Sequence, residues 1–184
     1  SLEETIRRIL EESERNVKRN IDENRKLLKE IRDNAKRNID ENRRLLEEIE
    51  RTVRDLERRV KDKDLLKEIR DVLERIRKLV EESIKRIEDL VRDVERLVEE
   101  SIREIKRVLD EIRKLVKEVE DRIRSEKLAE DVLRELDKAN KDINEISKKM
   151  LEDLKKAVED VNRVSKEMLE RLKRLREEIE KRTR

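Results

Sequence analysis

Asparagine and serine are the residues whose spacing could carry chemistry in this chain. The run NIDENRKLLKEI, which begins at Asn20, returns almost unchanged as NIDENRRLLEEI from Asn38, eighteen residues later. The runs KLVEESIKRI around Ser83 and RLVEESIREI around Ser101 have the same spacing. Amides and hydroxyls both donate and accept hydrogen bonds. The chemistry that this pattern offers is therefore hydrogen bonding.

The residue types that other chemistry needs are missing. The chain has no His, Cys, Gly, Trp, Tyr or Phe. Metal sites in helical bundles generally use His or Cys beside carboxylates, and a serine nucleophile needs a base. Phosphate-binding loops need glycine, and base stacking usually uses aromatic rings. We therefore expect no enzymatic activity and no metal, cofactor, small-molecule or nucleic-acid ligand.

Charge and hydropathy argue against a membrane partner. Basic and acidic residues are interleaved and nearly equal in number, 53 against 51, so no basic patch is expected for DNA or anionic lipid. No apolar run reaches the length of about eighteen residues needed to cross a bilayer or to resemble a signal peptide. Without cysteine, no disulfide can form. The sequence predicts a soluble protein without disulfide bonds.

The composition predicts an all-α protein. The chain has 184 residues, 57% of them charged, and neither Gly nor Pro is present to mark turns. Leu, Ile, Val, Glu, Lys and Arg dominate, and helices accommodate all of them. Highly charged chains can be disordered, but the net charge here is only +2 and the apolar residues recur periodically. An ordered, helical chain is therefore expected.

Two interruptions of the apolar pattern divide the chain into three helices. Residues 1–4 form a capping box that starts the first helix. The run KDKD at 61–64 interrupts the pattern, and either Asp62 or Asp64 could cap the second helix. Ser125, which follows basic residues, marks the second interruption. The predicted helices cover residues 2–60, 65–124 and 126–182, each roughly 90 Å long.

The eighteen-residue repeat predicts straight helices. Eighteen residues are about five turns, so a pattern with this repeat stays on one face without supercoiling. In the second helix the apolar residues fill an arc of about 160°, and the rest of its middle section is charged. Short connections make neighbouring helices antiparallel. We predict a single all-α domain, residues 1–184, that forms an antiparallel up-down-up three-helix bundle of long, nearly straight helices.

Several asparagines and serines fall inside these apolar arcs at matching levels. Asn42 and Ser83 are equidistant from the first interruption, and Ser83 and Ser165 are equidistant from the second. The same relation holds for a second set, eighteen residues away along each helix. Buried polar groups at one level must bond to each other or cost free energy. We predict two buried polar layers, one of Asn20, Asn24, Ser101, Asn144 and Ser147, the other of Asn38, Asn42, Ser83, Asn162 and Ser165.

Other residues near the arcs carry weaker signals. A lone asparagine beside an apolar stripe is more often exposed than buried, and the matching levels are what favour burial in the two layers. Asn144 and Asn162 lie at the edge of their arc. Met150 and Met168 share an apolar position and are interpreted as core residues. The pattern leaves open whether four residues are buried or solvated: Asn16, Asn34 and Thr52, at the edge of the first arc, and Asn140.

The whole chain resembles de novo designed helical bundles with buried hydrogen-bond networks. The resemblance is carried by the repeated runs quoted above, by INEISKKMLEDL with VNRVSKEMLERL, and by the absence of glycine and aromatic residues. Such proteins share a method rather than an ancestor, so the resemblance implies an architecture and no inherited activity. It implies a structural scaffold in which the polar layers specify helix register and partner choice.

Two natural alternatives are a spectrin-like structural or interaction bundle and an amphipathic lipid-binding protein similar to exchangeable apolipoproteins. Spectrin-type repeats typically carry aromatic core residues, which this chain lacks. Asparagine in the middle of an apolar arc would penalise contact with acyl chains. Both alternatives therefore fit the residues less well than a designed bundle does.

The charged outer faces favour a monomer, although helices with such wide arcs could also share a core with another chain. We expect an elongated monomer with the chain mass of 22.5 kDa. Light scattering behind a sizing column at low micromolar concentration measures this mass directly. Two or three times the chain mass would contradict the expectation and indicate a homo-oligomer with a shared helical core.

Overall fold

The computed structural model of the chain describes residues 2–122 and 126–182. Three helices form a three-helix bundle: α1 (Leu2–Arg59), α2 (Lys63–Arg122) and α3 (Glu126–Arg182). The predicted fold class is confirmed, and each helix boundary inside the described residues lies within two residues of its prediction. The predicted capping box depends on Ser1, and the predicted second interruption depends on Ser125. Both serines lie outside the described residues.

Asp62 caps the second helix. Its Oδ1 accepts hydrogen bonds from the backbone N–H groups of Asp64 at 3.0 Å and Leu65 at 3.5 Å, and its carbonyl oxygen accepts from Leu66 N at 3.1 Å. Of the two aspartates that the sequence offered as caps, the first fills the role. For this reason α2 begins at Lys63 rather than at residue 65.

The connection between α1 and α2 needs no glycine. Val60 N still donates to Leu56 O at 2.9 Å, as in a helix, and α2 starts only three residues later. Among the described residues no backbone φ is positive. Glycine is favoured in turns chiefly because it adopts positive φ without strain. Ordinary residues are therefore sufficient here.

The helices pack into two compact units. Unit 1 consists of Ser1–Lys29 and Val94–Lys155, and unit 2 of Glu30–Asp93 and Lys156–Arg184. All three helices contribute to each unit. That the chain behaves as a single folding domain stays a prediction.

Ion pairs between α1 and α2 show the relative direction of these two helices in unit 2. Arg77 pairs with Glu50 at 3.4 Å, and Arg70 pairs with Glu57 at 3.1 Å. From the first pair to the second, the residue number on α1 rises and the residue number on α2 falls by the same amount. The two helices are therefore antiparallel. Exposed pairs of this kind contribute only about 0–1 kcal/mol each.

The same reasoning applies in unit 1. Arg7 pairs with Glu120 at 2.8 Å and Arg113 with Glu14 at 3.1 Å, so α1 and α2 again run in opposite directions. The Glu120 carboxylate, by its hydrogen bond and its charge, raises the pKa of Arg7 above the ordinary arginine value. Arg7 therefore remains a cation at any pH at which the protein is handled.

Aliphatic side chains from all three helices form the core of unit 2. Because they recur at helical spacing they share one face of each helix. Burying each of the larger ones stabilises the fold by about 1.5–3 kcal/mol. One cluster contains Ile49, Val53, Ile69, Val72, Leu73, Ile76, Val80, Met168, Leu172 and Ile179, and a second contains Ala35, Ile87, Val161 and Val164.

Unit 1 has a core of the same kind, which includes Ile21, Ile105 and Ile143. Met150 is buried there, as Met168 is in unit 2, so the interpretation of both methionines as core residues is confirmed. Leu97, in contrast, is 45% exposed although its position belongs to the apolar arc of α2. Its position is at the edge of the arc, where the neighbouring helices of unit 1 cover it only in part.

No helix within the described residues is both long enough and apolar enough to span a membrane.

Replacing Asp62 by Ala removes the cap of α2 and should lower the free energy of unfolding by about 1 kcal/mol, because two N–H groups lose their acceptor. Guanidinium denaturation followed by circular dichroism measures the change. Lys61→Ala, one residue earlier and exposed, is the matched control and should leave the midpoint unchanged. Equal midpoints for both variants would show that Asp62 does not act as a cap.

Candidate functional site

The predicted layer residues differ in how deeply the structure buries them. Those in the middle of an arc are enclosed by the apolar faces of the other helices, whereas those near the edge meet solvent. Two of the ten, Asn144 and Asn162, are exposed, which corrects the prediction that both belong to buried layers. The buried members are Asn24, Asn42, Ser83, Ser147 and Ser165, and the half-buried members are Asn20, Asn38 and Ser101.

Asn42 is the centre of the polar layer in unit 2. Its side chain is fully buried, with 0% of its surface exposed. Its Nδ2 donates to the backbone oxygen of Asn38 at 2.8 Å, one turn earlier on α1, and to Ser165 Oγ on α3 at 3.4 Å. The second bond joins two helices at the level that the residue spacing predicts. The polar layer of unit 2 therefore contains a buried hydrogen bond between helices.

Two atoms of this layer have no hydrogen-bond partner among the described residues. Asn42 Oδ1 and Ser83 Oγ are both buried, and neither bonds to the other. Ser83 nevertheless lies inside the bundle, with 5% of its surface exposed. The structure thus buries the three central residues of this layer but connects only Asn42 and Ser165 directly.

Asn162 instead belongs to a polar rim on unit 2. Its Oδ1 accepts hydrogen bonds from Asn34 Nδ2 at 2.8 Å and from Asn38 Nδ2 at 3.4 Å. Asn162 lies at the edge of the α3 arc, so its amide reaches across the surface of the α1–α3 contact rather than into the core. Asn34, which the sequence left open, is half-buried and supplies the shorter of the two bonds.

The layer in unit 1 has a similar centre. Asn24 is 1% exposed, and its Nδ2 donates to the backbone oxygen of Asn20 at 2.6 Å. Ser147 is buried beside the core at 5% exposure. Asn24 Oδ1 and Ser147 Oγ have no partner among the described residues. No hydrogen bond therefore joins Asn24 to Ser147 directly, although both of these residues are buried.

A rim accompanies this layer as well. Asn16 Nδ2 donates to Asn144 Oδ1 at 2.9 Å, and Asn16 Oδ1 accepts from Asn20 Nδ2 at 3.4 Å and from Arg19 at 3.1 Å. Asn144 is exposed for the same reason as its equivalent in unit 2, since it lies at the edge of its arc. Asn16, left open by the sequence, is half-buried and makes the contact between α1 and α3.

Sequence reasoning missed one buried polar residue, Ser13. It is 2% exposed, and its Oγ lies 2.8 Å from Ile9 O and 2.7 Å from Asn140 Oδ1. One hydroxyl hydrogen can serve only one of these acceptors at a time. Two signals were available in the sequence. Ser13 shares its repeat position with Ile31, which is buried. The separation in residue number between Ser13 and Asn140 also nearly equals that between Asn16 and Asn144.

What these groups can do chemically is limited to hydrogen bonding. Amides and hydroxyls are neutral at every pH at which the protein is handled. Among the described residues no group of three or more His, Cys, Asp or Glu side chains could hold a metal ion. The buried hydrogen bond from Asn42 to Ser165 is therefore a contact between helices.

Two surface grooves lie near these residues. In unit 2 a groove of 240 Å³ runs between α2 and α3, where Ser83, Leu79, Val164 and Met168 line it together with acidic and basic side chains. In unit 1 a groove of 580 Å³ lies between α1 and α2 and is lined by side chains of both charges around a few aliphatic ones. Neither groove has a lining of one charge sign that would select an anion or a cation.

Comparisons with protein-family models, with curated proteins and with solved structures return no match for this chain.

Changing Asn42 to Ala should lower the free energy of unfolding by about 1–3 kcal/mol, because Ser165 loses a partner while it stays buried. Urea denaturation of the parent chain and of the variant measures the difference. Asn162→Ala, at the exposed rim of the same unit, is the matched control and should change the value by less than about 0.5 kcal/mol. If Asn42→Ala lowered the free energy of unfolding no more than Asn162→Ala does, the hydrogen bond of Asn42 would contribute nothing to stability.

Proposed function

We propose that this protein is a designed structural scaffold without a natural biochemical activity, in which the polar layers specify helix register and the choice of partner. The observation that carries the proposal is the buried hydrogen bond from Asn42 to Ser165, which joins α1 and α3 inside an otherwise aliphatic core. A polar contact of this kind adds little net stability. Its effect is to make one alignment of the helices better than the others.

The eighteen-residue repeat explains why such a device is useful. In each unit the apolar faces are nearly uniform along the helix axis, so sliding one helix past another exchanges Leu, Ile and Val for similar residues. Burial depends on apolar area and hardly distinguishes these alignments. Asn42 does distinguish them, because in a shifted alignment it would face an aliphatic side chain while still buried. Leaving a buried amide unpaired costs about 1–3 kcal/mol.

Composition supports an engineered origin. The absence of Gly, Pro and aromatic residues from 184 positions, together with near-identical runs at Asn20 and Asn38, is what a sequence selected for regular helices and regular packing would contain. The rims add to this regularity, since Asn16 pairs with Asn144 in unit 1 and Asn34 pairs with Asn162 in unit 2. The same contact is thus repeated one sequence period later on both helices.

An enzymatic role has no residues to support it. Catalysis of group transfer needs a nucleophile or a base with a suitable pKa, and the buried polar side chains in the described part of the chain are neutral amides and hydroxyls. The charged residues lie mostly on the surface, where many form pairs one turn apart on the same helix, such as Lys141 with Asp137. We propose that these charges keep the scaffold soluble and monomeric.

Replacing the whole layer of unit 2 tests specificity separately from stability. With Asn38 and Asn42 changed to Leu, Ser83 to Val and Ser165 to Ala, and with the exposed Asn162 retained, the free energy of unfolding should stay equal or rise, because no buried polar group is left unpaired. Native mass spectrometry and small-angle scattering should then detect mixed oligomers or alternative alignments. A variant as uniform as the parent chain would contradict the proposed role in specificity.

The absence of a ligand can be tested with thermal shifts against divalent metals, nucleotides and anionic lipid vesicles. We expect no saturable change in melting temperature with any of them, because a ligand that binds the native state must raise it. The matched comparison is the Asn42→Ala variant, whose lower stability makes small shifts easier to detect. A reproducible, saturable shift of the parent chain with any one of these ligands would overturn the proposal that the scaffold has no ligand.

A further inference from the structure

We propose that the polar layer of unit 2 contains a binding site for one ordered water molecule, held between Asn42 Oδ1 and Ser83 Oγ. These are the two buried polar atoms of the layer that have no partner among the described residues. One belongs to α1 and the other to α2, at positions equidistant from the connection between these helices. The water would connect α2 to Asn42, because the direct hydrogen bond from Asn42 to Ser165 joins only α1 and α3.

The hydrogen-bond requirements of the two atoms define the ligand. Asn42 has already used both Nδ2 hydrogens, on Asn38 O and Ser165 Oγ, so what remains is the acceptor Oδ1. Ser83 Oγ can donate one hydrogen bond and accept others. Water has two donors and two acceptor sites, and can donate to Oδ1 while it accepts from, or donates to, the serine. An ion of either charge would fit less well, since the two buried groups, an amide and a hydroxyl, are both neutral.

Space and access are available beside Ser83. This residue lines the 240 Å³ groove between α2 and α3, which is open to solvent. Leu79, Val164 and Met168 also line this groove. A site for one water needs only about 10–15 Å³ by the same kind of measure. Immobilising a water costs less free energy than leaving two buried polar atoms unpaired.

The same combination of atoms occurs in unit 1, on different helices. There the buried atoms without a partner are Asn24 Oδ1 on α1 and Ser147 Oγ on α3. Asn24, like Asn42, donates through Nδ2 to the backbone oxygen one turn earlier. In both units, therefore, one amide oxygen and one hydroxyl remain after the direct bonds are made. Buried polar groups left over in this way are commonly satisfied by internal water.

Magnetic relaxation dispersion of the water oxygen nucleus counts long-lived internal waters in solution and tests the site directly. The parent chain is compared with the variant Asn42→Leu with Ser83→Val, which removes both ligating atoms of unit 2. We expect the variant to lose one long-lived water per chain. Asn162→Leu, at the exposed rim of the same unit, is the matched control and should lose none. An equal count in the parent and in the double variant would overturn the site.

A crystal structure of the parent chain tests the same site without any substitution, in case the double variant does not fold. A water oxygen within about 3.2 Å of both Asn42 Oδ1 and Ser83 Oγ would support the proposal. A direct hydrogen bond between these two atoms, or an amide turned so that Oδ1 bonds to Ser165 instead, would overturn it. Either result leaves the proposed scaffold role intact, since that role depends on the bond between α1 and α3.

Discussion

An amide buried in an apolar core costs free energy for every hydrogen bond that it leaves unmade, and Asn42 in unit 2 is under this constraint. One Nδ2 hydrogen is taken by the preceding turn of α1, and the other reaches Ser165 on α3. The aliphatic side chains around them bury area with little regard to which residue faces which. The amide has no such freedom, because a small axial shift of α3 would remove its partner. Under the proposed function, this contact therefore favours one alignment of α1 with α3.

Under the proposed function, stability and alignment come from different residues. In unit 2 the larger buried aliphatic side chains contribute about 1.5–3 kcal/mol each, which far exceeds the net gain from the bond between Asn42 and Ser165. Surface ion pairs such as Arg77 with Glu50 add about 0–1 kcal/mol and are screened by salt. These ion pairs stabilise the observed alignment of the helices, but they destabilise a shifted alignment little, because an exposed charge that loses its partner is solvated by water. A buried amide has no such alternative.

The sequence predicted the number of helices and the all-α class. It also predicted that Asn42 and Ser165 lie at the same height along the helix axes. Each of these follows from helical periodicity and from the two interruptions. The position of Asn162 could not be read as reliably. Its place at the arc edge allows an asparagine either to enter the core or to reach over the surface, and the choice depends on Asn34 across the α1–α3 contact. Ser13 was missed for a different reason: its repeat position holds Ile31 in the next copy, so no second polar residue eighteen positions away marked it.

The incomplete networks have a local cause that residue spacing does not contain. Asn24 and Asn42 each donate one hydrogen bond to the backbone oxygen one turn earlier, at 2.6 Å and 2.8 Å. Side chains of this kind commonly bond to their own helix, and each such bond removes a donor from contacts between helices. An asparagine on α1 therefore has one donor and one acceptor left for two neighbouring helices. In unit 2 the donor reaches α3, so any connection to α2 must be made through the amide oxygen.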